Sequence, residues 1–452
     1  MGRLFGTDGA RGIANTELTC ETAMQIGRSA AMVLTKHIKT GKKPRILIGK
    51  DTRISSDVLE AALAAGIASV GADVELLGVV PTPAVAYLVK YYEADAGVMI
   101  SASHNSVEYN GIKLFSDTGF KLPDAVENEI EELILDKPEQ IKLKNGCDIG
   151  KIKIRYGAVS DYNEHLENTV QNRFTGLMVA IDCANGSASA SAEALFTKMG
   201  ADCIMLSSEP DGFNINENCG STHLGNLQNT VVQRGCDLGV AFDGDADRCL
   251  AVDNKGNVID GDKLIALLSS QMKKNGQLKN DTAVVTVMSN LGFHTYMRNN
   301  GIKTLCTKVG DRYVLEEILK NGYNIGGEQS GHIIFLDYAT TGDGQLTAMQ
   351  LLNMIASSKK RLSELCDEFT DYPQTLLGVT ITPDKKGLWN KNDNILKIIR
   401  EAESFFGENG RVLVRESGTE PLVRVMIEGK EQNSVNDWAK RIVDVITEEL
   451  AK

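Results

Sequence analysis

The sequence predicts an α/β protein: three related α/β domains with mixed, mainly parallel sheets and a smaller C-terminal α+β domain, arranged around a central cleft. Three observations lead there. The chain has 452 residues, more than one ordinary domain holds, and this favours three or four. The pattern strand, turn, helix, Gly, strand recurs at long separation. The residues beyond Tyr372 break that rhythm.

The first unit runs from the apolar Arg45–Asp51 through a helix-like Ala61–Ala68 to Gly71–Leu77. The second runs from Leu177–Asp182 through an alanine-rich stretch to Gly200–Leu206, and the third from Thr282–Met288 to Gly301–Leu305. Such βαβ units need right-handed crossovers and give mainly parallel sheets faced by helices. Expected domain boundaries are 1–150, 151–253, 254–371 and 372–452. They are marked by the charged, strand-poor Lys137–Asn145, the turn-like Asp253–Gly256, and Asp371-Tyr372-Pro373. The last segment reads as strand (Leu376–Ile381), amphipathic helix (Asn394–Phe405), two strands (Arg411–Arg415, Leu422–Glu428) and a helix from about Ser434.

Composition narrows the function classes. A hydrophobic share of 42% and a charged share of 24% are ordinary for a soluble globular protein. No apolar run reaches the ~18 residues of a membrane span. Met1–Asp8 lacks an apolar signal core, so a cytoplasmic, membrane-free protein is expected. The nine cysteines, scattered from Cys20 to Cys366 without a CxxC pair, read as reduced thiols. A net charge of −12 argues against nucleic-acid binding, and it means that an anionic substrate needs clustered Arg, Lys or a metal.

Six loops carry the chemistry-bearing residues. After the strand-like Ala96–Ile100 come Ser101-Ala102-Ser103-His104-Asn105, where Ser103 is either a nucleophile or a helix N-cap. The hydrolase elbow G-x-S-x-G is absent. Lys113 follows, an ammonium for a phosphoryl group or a proton, or else an ordinary surface lysine. Asp243-Gly244-Asp245-Ala246-Asp247-Arg248 follows the apolar Leu238–Phe242. Its carboxylates converge on a cation if Gly244 lets the loop curl, and hard oxygens suit Mg²⁺; a solvated acidic turn is the plain alternative. An EF-hand is excluded, with Arg248 at the sixth position and Asn254 at the twelfth. Without a cation the cluster would repel a phosphate ~4 Å away by roughly 4 kcal/mol per charge pair.

Phe5–Gly12 is a glycine-rich loop in which Arg11 can grip phosphate through two donors. Gly326–His332 offers Glu328 and Ser330 to vicinal sugar hydroxyls and His332 to a proton. Val309–Arg312 is a further substrate-facing candidate. Arg415–Pro421 sets backbone N–H groups and two hydroxyls beside a guanidinium, a phosphate cradle that Arg424 can join; a polar hairpin turn is the alternative. It lacks the Walker lysine and is no P-loop.

Together, in this order, these motifs resemble the α-D-phosphohexomutase family along the whole chain. The resemblance implies that Ser103 is the phosphorylated residue and that Ser103, Asp243, Asp245 and Asp247 bind one Mg²⁺. It makes Ser103, Lys113, Arg11 and His332 the catalytic set. Substrate contacts are His104, Arg248, Glu328, Ser330, Arg415, Ser417, Gly418, Thr419 and Arg424. The implied reaction moves phosphate between the 6- and 1-positions of glucosamine phosphate through a bisphosphorylated sugar, feeding UDP-N-acetylglucosamine and cell-wall precursor synthesis. Gly418 stands where phosphomannomutase/phosphoglucomutase relatives commonly carry Asn; those unaminated sugars are the alternative substrates. A silent phosphosugar-binding protein is the competing class, opposed by the intact Ser103 and aspartate triad. Expected partners are the phosphosugar, a glucosamine or glucose 1,6-bisphosphate activator, a second copy of the chain, and a kinase or self-phosphorylation for priming. Ser106 stands where the family often has Pro, which would loosen the serine loop.

Overall fold

A computed structural model describes residues 3–6, 8–38, 42–416 and 422–451. Its contacts divide into two compact units, 1–288 with 301–367, and 289–300 with 368–452.

The larger unit holds three mixed sheets. The first has seven strands in the order Phe5–Gly6, Gly9–Ile13, Tyr109–Ser116, Ala96–Ile100, Arg45–Lys50, Asp73–Val79, Ile152–Ile154. Its first unit forms as the pattern required: Arg45–Lys50 pairs in parallel with Asp73–Val79 across the helix Ile54–Ser69, and also with Ala96–Ile100. The antiparallel strand Tyr109–Ser116 then doubles back along Ala96–Ile100, with Met99 opposite Lys113. Ala96–Ile100 is buried throughout, as a strand covered on both faces must be.

The second sheet runs Val258–Ile259, Cys249–Asp253, Leu238–Phe242, Met178–Asp182, Asp202–Leu206. Met178–Asp182 is parallel to both Leu238–Phe242 and Asp202–Leu206. The Asp253–Gly256 turn joins two antiparallel strands of this sheet, which continues to Ile259. The third sheet runs Lys303–Thr307, Thr282–Thr286, Ile325–Gly327, Ile333–Phe335, with only the last pair antiparallel. The mixed expectation holds, but among the described residues parallel pairings barely outnumber antiparallel ones, seven to six across the three sheets, because hairpin strands that flank polar loops are added at their edges.

The smaller unit contains the helix Leu291–Asn299 and an all-antiparallel sheet ordered Gln374–Thr380, Leu422–Gly429, Gly410–Glu416. The helices Asp393–Phe406 and Gln432–Leu450 bury Ile395, Trp438, Ile442 and Ile446 in its core. Apart from Leu291–Asn299, which the sequence pattern leaves in the third α/β segment, these are the elements that the pattern anticipates, within a few residues at each end.

Candidate active site

The site is built where strands of the larger unit end. Ala96–Ile100 delivers Ser101–Asn105, Leu238–Phe242 delivers Asp243–Arg248, and the hairpin between Ile325–Gly327 and Ile333–Phe335 delivers Glu328, Ser330 and His332. The carboxyl ends of parallel strands are where open α/β sheets place ligand loops.

Ser103 caps no helix. The chain passes from its loop directly into the strand Tyr109–Ser116, so the N-cap alternative falls. The residue is 1% exposed with φ of 54°, and its Oγ donates to Asp243 Oδ2 at 2.6 Å. Ser103 Oγ also lies 3.3 Å from His104 Nδ1. Burial, then Arg248 and Arg11, push the His104 imidazole down to about 4, which leaves the ring neutral at neutral pH.

Carboxylate oxygens of Asp243, Asp245 and Asp247 lie within 4.8 Å of one another, and all three residues are buried. Burial, with Asp247 and Asp245 adding to it, holds the Asp243 carboxyl well above the usual range. Burial also opposes ionisation of Asp245, but the Lys113 ammonium and the Thr82 hydroxyl outweigh it and hold that carboxyl below its usual range. Asp245 Oδ1 and Asp247 Oδ1 are buried with no hydrogen-bond partner. Packed, under-neutralised, unpartnered hard oxygens fit a divalent cation such as Mg²⁺. Gly244 is needed for close approach rather than for a left-handed turn. A Cβ there would stand 2.6 Å from the Ser103 carbonyl oxygen and 2.9 Å from Asn216 Nδ2, and the left-handed residue of the loop is Ala246, at φ of 56°.

Lys113 is no surface lysine: it is 2% exposed. Its Nζ lies 2.8 Å from Asp245 Oδ2, 3.0 Å from Asp8 Oδ2 and 3.5 Å from Asp247 Oδ2. Arg11, opposite Gly111 in the sheet, pairs with Asp8. Lys121 bridges Asp8 and Asp311 at 2.6 Å each. Signs therefore alternate from Asp311 through Lys121, Asp8 and Lys113 to Asp245. His332 lies beside this chain, with Nε2 3.7 Å from Asp311 Oδ2 and 3.9 Å from Asp247 Oδ2, and both ring nitrogens lack a hydrogen bond.

A cavity of about 700 Å³ opens onto these groups, lined among others by Asp8, Arg11, Asp247, Arg248, Glu328 and His332. Glu328 Oε1 accepts from the Gly310 amide at 3.0 Å, which ties the 309–312 loop to the sugar-loop candidate. Ser330 Oγ is buried without a partner. One end of this carboxylate loop and the serine loop are thus brought together with Lys113, Arg11, Arg248, Glu328 and His332.

In the smaller unit Arg415 and Arg424 face each other in register on adjacent strands. Burial first, then the Arg424 charge, lower the Arg415 guanidinium from its ordinary value, a setting that an anion would relieve. Ser417, Gly418 and Thr419 lie outside the described residues.

Sequence reasoning missed the supports: Asp51, Arg53, Thr82 and Asn216, and the Asp8–Lys121 link. Ser101 supports the serine loop. Its Oγ accepts from the Ser103 amide at 2.9 Å and donates to Asp51 Oδ2 at 2.6 Å. Ser106 does not leave the loop untied, because Arg53 donates to the Ser106 carbonyl, a contact indifferent to the side chain there.

Fold and site define a multidomain α/β protein with a serine and a carboxylate triad at strand ends and a buried lysine inside a neighbouring strand. Four family models cover nearly all of it: phosphoglucomutase/phosphomannomutase alpha/beta/alpha domain I at residues 2–140, domain II at 160–256, domain III at 260–372 and the C-terminal domain at 379–445. The chain belongs to the phosphoglucomutase/phosphomannomutase family, the α-D-phosphohexomutases. Relatives named phosphoglucosamine mutase include one from Clostridium beijerinckii, 54% identical over 446 residues and 99% of each chain. Another, from Acetivibrio thermocellus, is 53% identical over 451 residues and 100% of each. Among solved structures, a family protein from Burkholderia thailandensis has the same fold with a TM-score of 0.80 at 21% identity, covering 99% of both chains. An N-acetylglucosamine-phosphate mutase in its substrate complex has a TM-score of 0.68 at 19% identity, covering 98% of this chain and 96% of that one.

Proposed function

We propose that this chain is an isomerase that interconverts glucosamine 6-phosphate and glucosamine 1-phosphate through a phosphoserine at Ser103. The observation that carries the reading is the buried contact of Ser103 Oγ with Asp243, 2.6 Å away, inside a carboxylate triad that Lys113 neutralises only in part. The high identity to phosphoglucosamine mutases over the full length supports the amino sugar.

Phosphorylated Ser103 donates its phosphoryl group to the free sugar hydroxyl: the sugar O–P bond forms and the Oγ–P bond breaks. The bisphosphorylated sugar then turns over, and its other phosphate returns to Ser103. Asp243, Asp245 and Asp247, with a Ser103 phosphate oxygen, would hold one Mg²⁺. Bound there, that ion supplies Lewis-acid stabilisation of charge on the transferring oxygens. Lys113 and Arg11 offset negative charge beside the acceptor, and Lys113 or His332 moves the hydroxyl proton. His104 and Arg248 contact the phosphosugar, Glu328 and Ser330 bind its hydroxyls, and Arg415, Ser417, Gly418, Thr419 and Arg424 bind the non-reacting phosphate. The segments 1–150, 151–253, 254–371 and 372–452 thus carry the phosphoserine, the metal, the sugar and the distal phosphate in turn. Action in the cytoplasm, a homodimer, and priming by a sugar 1,6-bisphosphate, a kinase or self-phosphorylation complete the proposal.

The test is kcat/KM on glucosamine, glucose and mannose phosphates. Preference for the glucosamine pair supports the reading. Preference for an unaminated sugar overturns the substrate and leaves the family chemistry standing. Absence of Mg²⁺-dependent turnover with bisphosphate supplied would make the chain a binding protein.

A further inference from the structure

We propose that Arg53 and Asn216 are positioning residues for the phosphoryl-carrying serine: together they grip the Ser103 backbone so that its hydroxyl points at Asp243. The inference rests on the phosphoserine reading above.

The backbone of Ser103 sits at φ of 54°, in the left-handed region that a residue with a Cβ avoids unless its surroundings impose it. What imposes it is a set of donors aimed at carbonyls that no strand or helix uses. Arg53 is 1% exposed, though it stands at the start of the helix Ile54–Ser69. Its Nη2 donates to the Ser103 and Asn105 carbonyls at 3.0 and 2.8 Å, and its Nη1 to that of Ser106. Its Nε donates to Asp51 Oδ2 at 2.9 Å, which neutralises the buried charge. Asp51 also accepts from Ser101 Oγ, which accepts from the Ser103 amide. Both the N–H and the C=O of Ser103 are therefore tied back to one buried Asp51–Arg53 pair.

The second half of the grip comes from a distant segment. Asn216 Nδ2 donates to the Ser103 and Asn105 carbonyls at 2.9 Å each. Asn216 precedes the strand Leu238–Phe242 that carries the triad, and its amide lies against Gly244. The Ser103 carbonyl is thus held between the sheet that delivers the serine and the sheet that delivers the aspartates. That contact sets the distance between Ser103 and the triad. A reacting group misplaced by ~1 Å loses on the order of 100-fold in rate.

Two variants test this. Arg53→Lys keeps the charge beside Asp51 but cannot reach three carbonyls. Asn216→Gly keeps the left-handed backbone, since Asn216 has φ of 59° and glycine accepts it, and removes the side chain that makes the two donor bonds. The readouts are melting temperature, kcat and KM on the glucosamine phosphates, and phosphate released to water per turnover. Asn216→Gly that melts near the wild type, loses about 10- to 100-fold in kcat with KM unchanged, and leaks more phosphate per turnover supports the grip. The same kcat as the wild type, or a change confined to KM, overturns it. If Arg53→Lys does not fold, Asn216→Gly alone decides. A wild type without mutase turnover refutes the phosphoserine reading instead; an active wild type beside an unimpaired Asn216→Gly refutes only the grip.

Discussion

Replacing Lys113 by Met isolates how the buried charges are balanced. The ammonium is 2% exposed and sits within 3.5 Å of oxygens from Asp8, Asp245 and Asp247. A unit charge pair ~3 Å apart attracts by roughly 5 kcal/mol at an effective dielectric near 20, before desolvation is counted. Breaking a buried pair by removing one partner costs about 3–5 kcal/mol net, because the remaining charge stays buried. In chelator, Lys113→Met should therefore melt roughly 5–8 °C below the wild type. Mg²⁺ should return much of that loss. A cation among Asp243, Asp245 and Asp247 takes over the neutralisation, and saturation at 100 times Kd adds about 2.7 kcal/mol. The wild type, already partly neutralised, should gain less. Activity should fall about 10²- to 10⁴-fold even when Mg²⁺ restores stability, since the methionine carries no charge to offset that of the transferring phosphoryl group. Thermal melts with chelator and with Mg²⁺ decide it. A variant as stable as the wild type in chelator, or an equal Mg²⁺ gain in both proteins, would refute the charge-balance reasoning.

Three more expectations follow from named geometry. His332→Gln should lower kcat about 10²-fold or more while melting stays near the wild type, because both ring nitrogens are free of hydrogen bonds; steady-state kinetics checks it. Arg415→Met should raise KM at least about 10-fold with a smaller effect on kcat, since a phosphate-gripping guanidinium contributes in ground and transition states alike. In the smaller unit, burial, then Arg411 and Arg298, lower His294 to about 4. A base depressed in the folded state contributes stability that is present above its unfolded value, near 6.5, and is lost as pH falls through about 4. Urea melts of this unit between pH 7 and 4 should show that decline, and His294→Gln should flatten it.

The fold was legible because its signals are local. Arg45–Asp51, Leu177–Asp182 and Thr282–Met288 are short apolar runs bounded by turn residues, and each became a parallel strand. The aspartate loop was legible because three carboxylates at alternate positions are costly without a partner. Lys113 was harder. It lies between Ile112 and Leu114 in a strand whose alternation sends it to the charged side, but nothing local names Asp8 and Asp245 as its partners. Arg53 and Asn216 were illegible for the same reason: their targets are main-chain carbonyls 50 and 113 residues away, which leave no mark on side-chain pattern. The helix-cap reading of Ser103 failed because Ser favours caps on average, while here the following Tyr109–Ser116 pairs into the sheet.

The most direct measurement is the intact mass of the purified protein with peptide mapping, alongside Ser103→Ala. One phosphoryl group should map to the peptide carrying Ser103, be transferable to substrate, and be lost together with mutase activity in the variant. Full mutase activity in Ser103→Ala, or a phosphoryl group mapped to another residue that turns over with substrate, would contradict it.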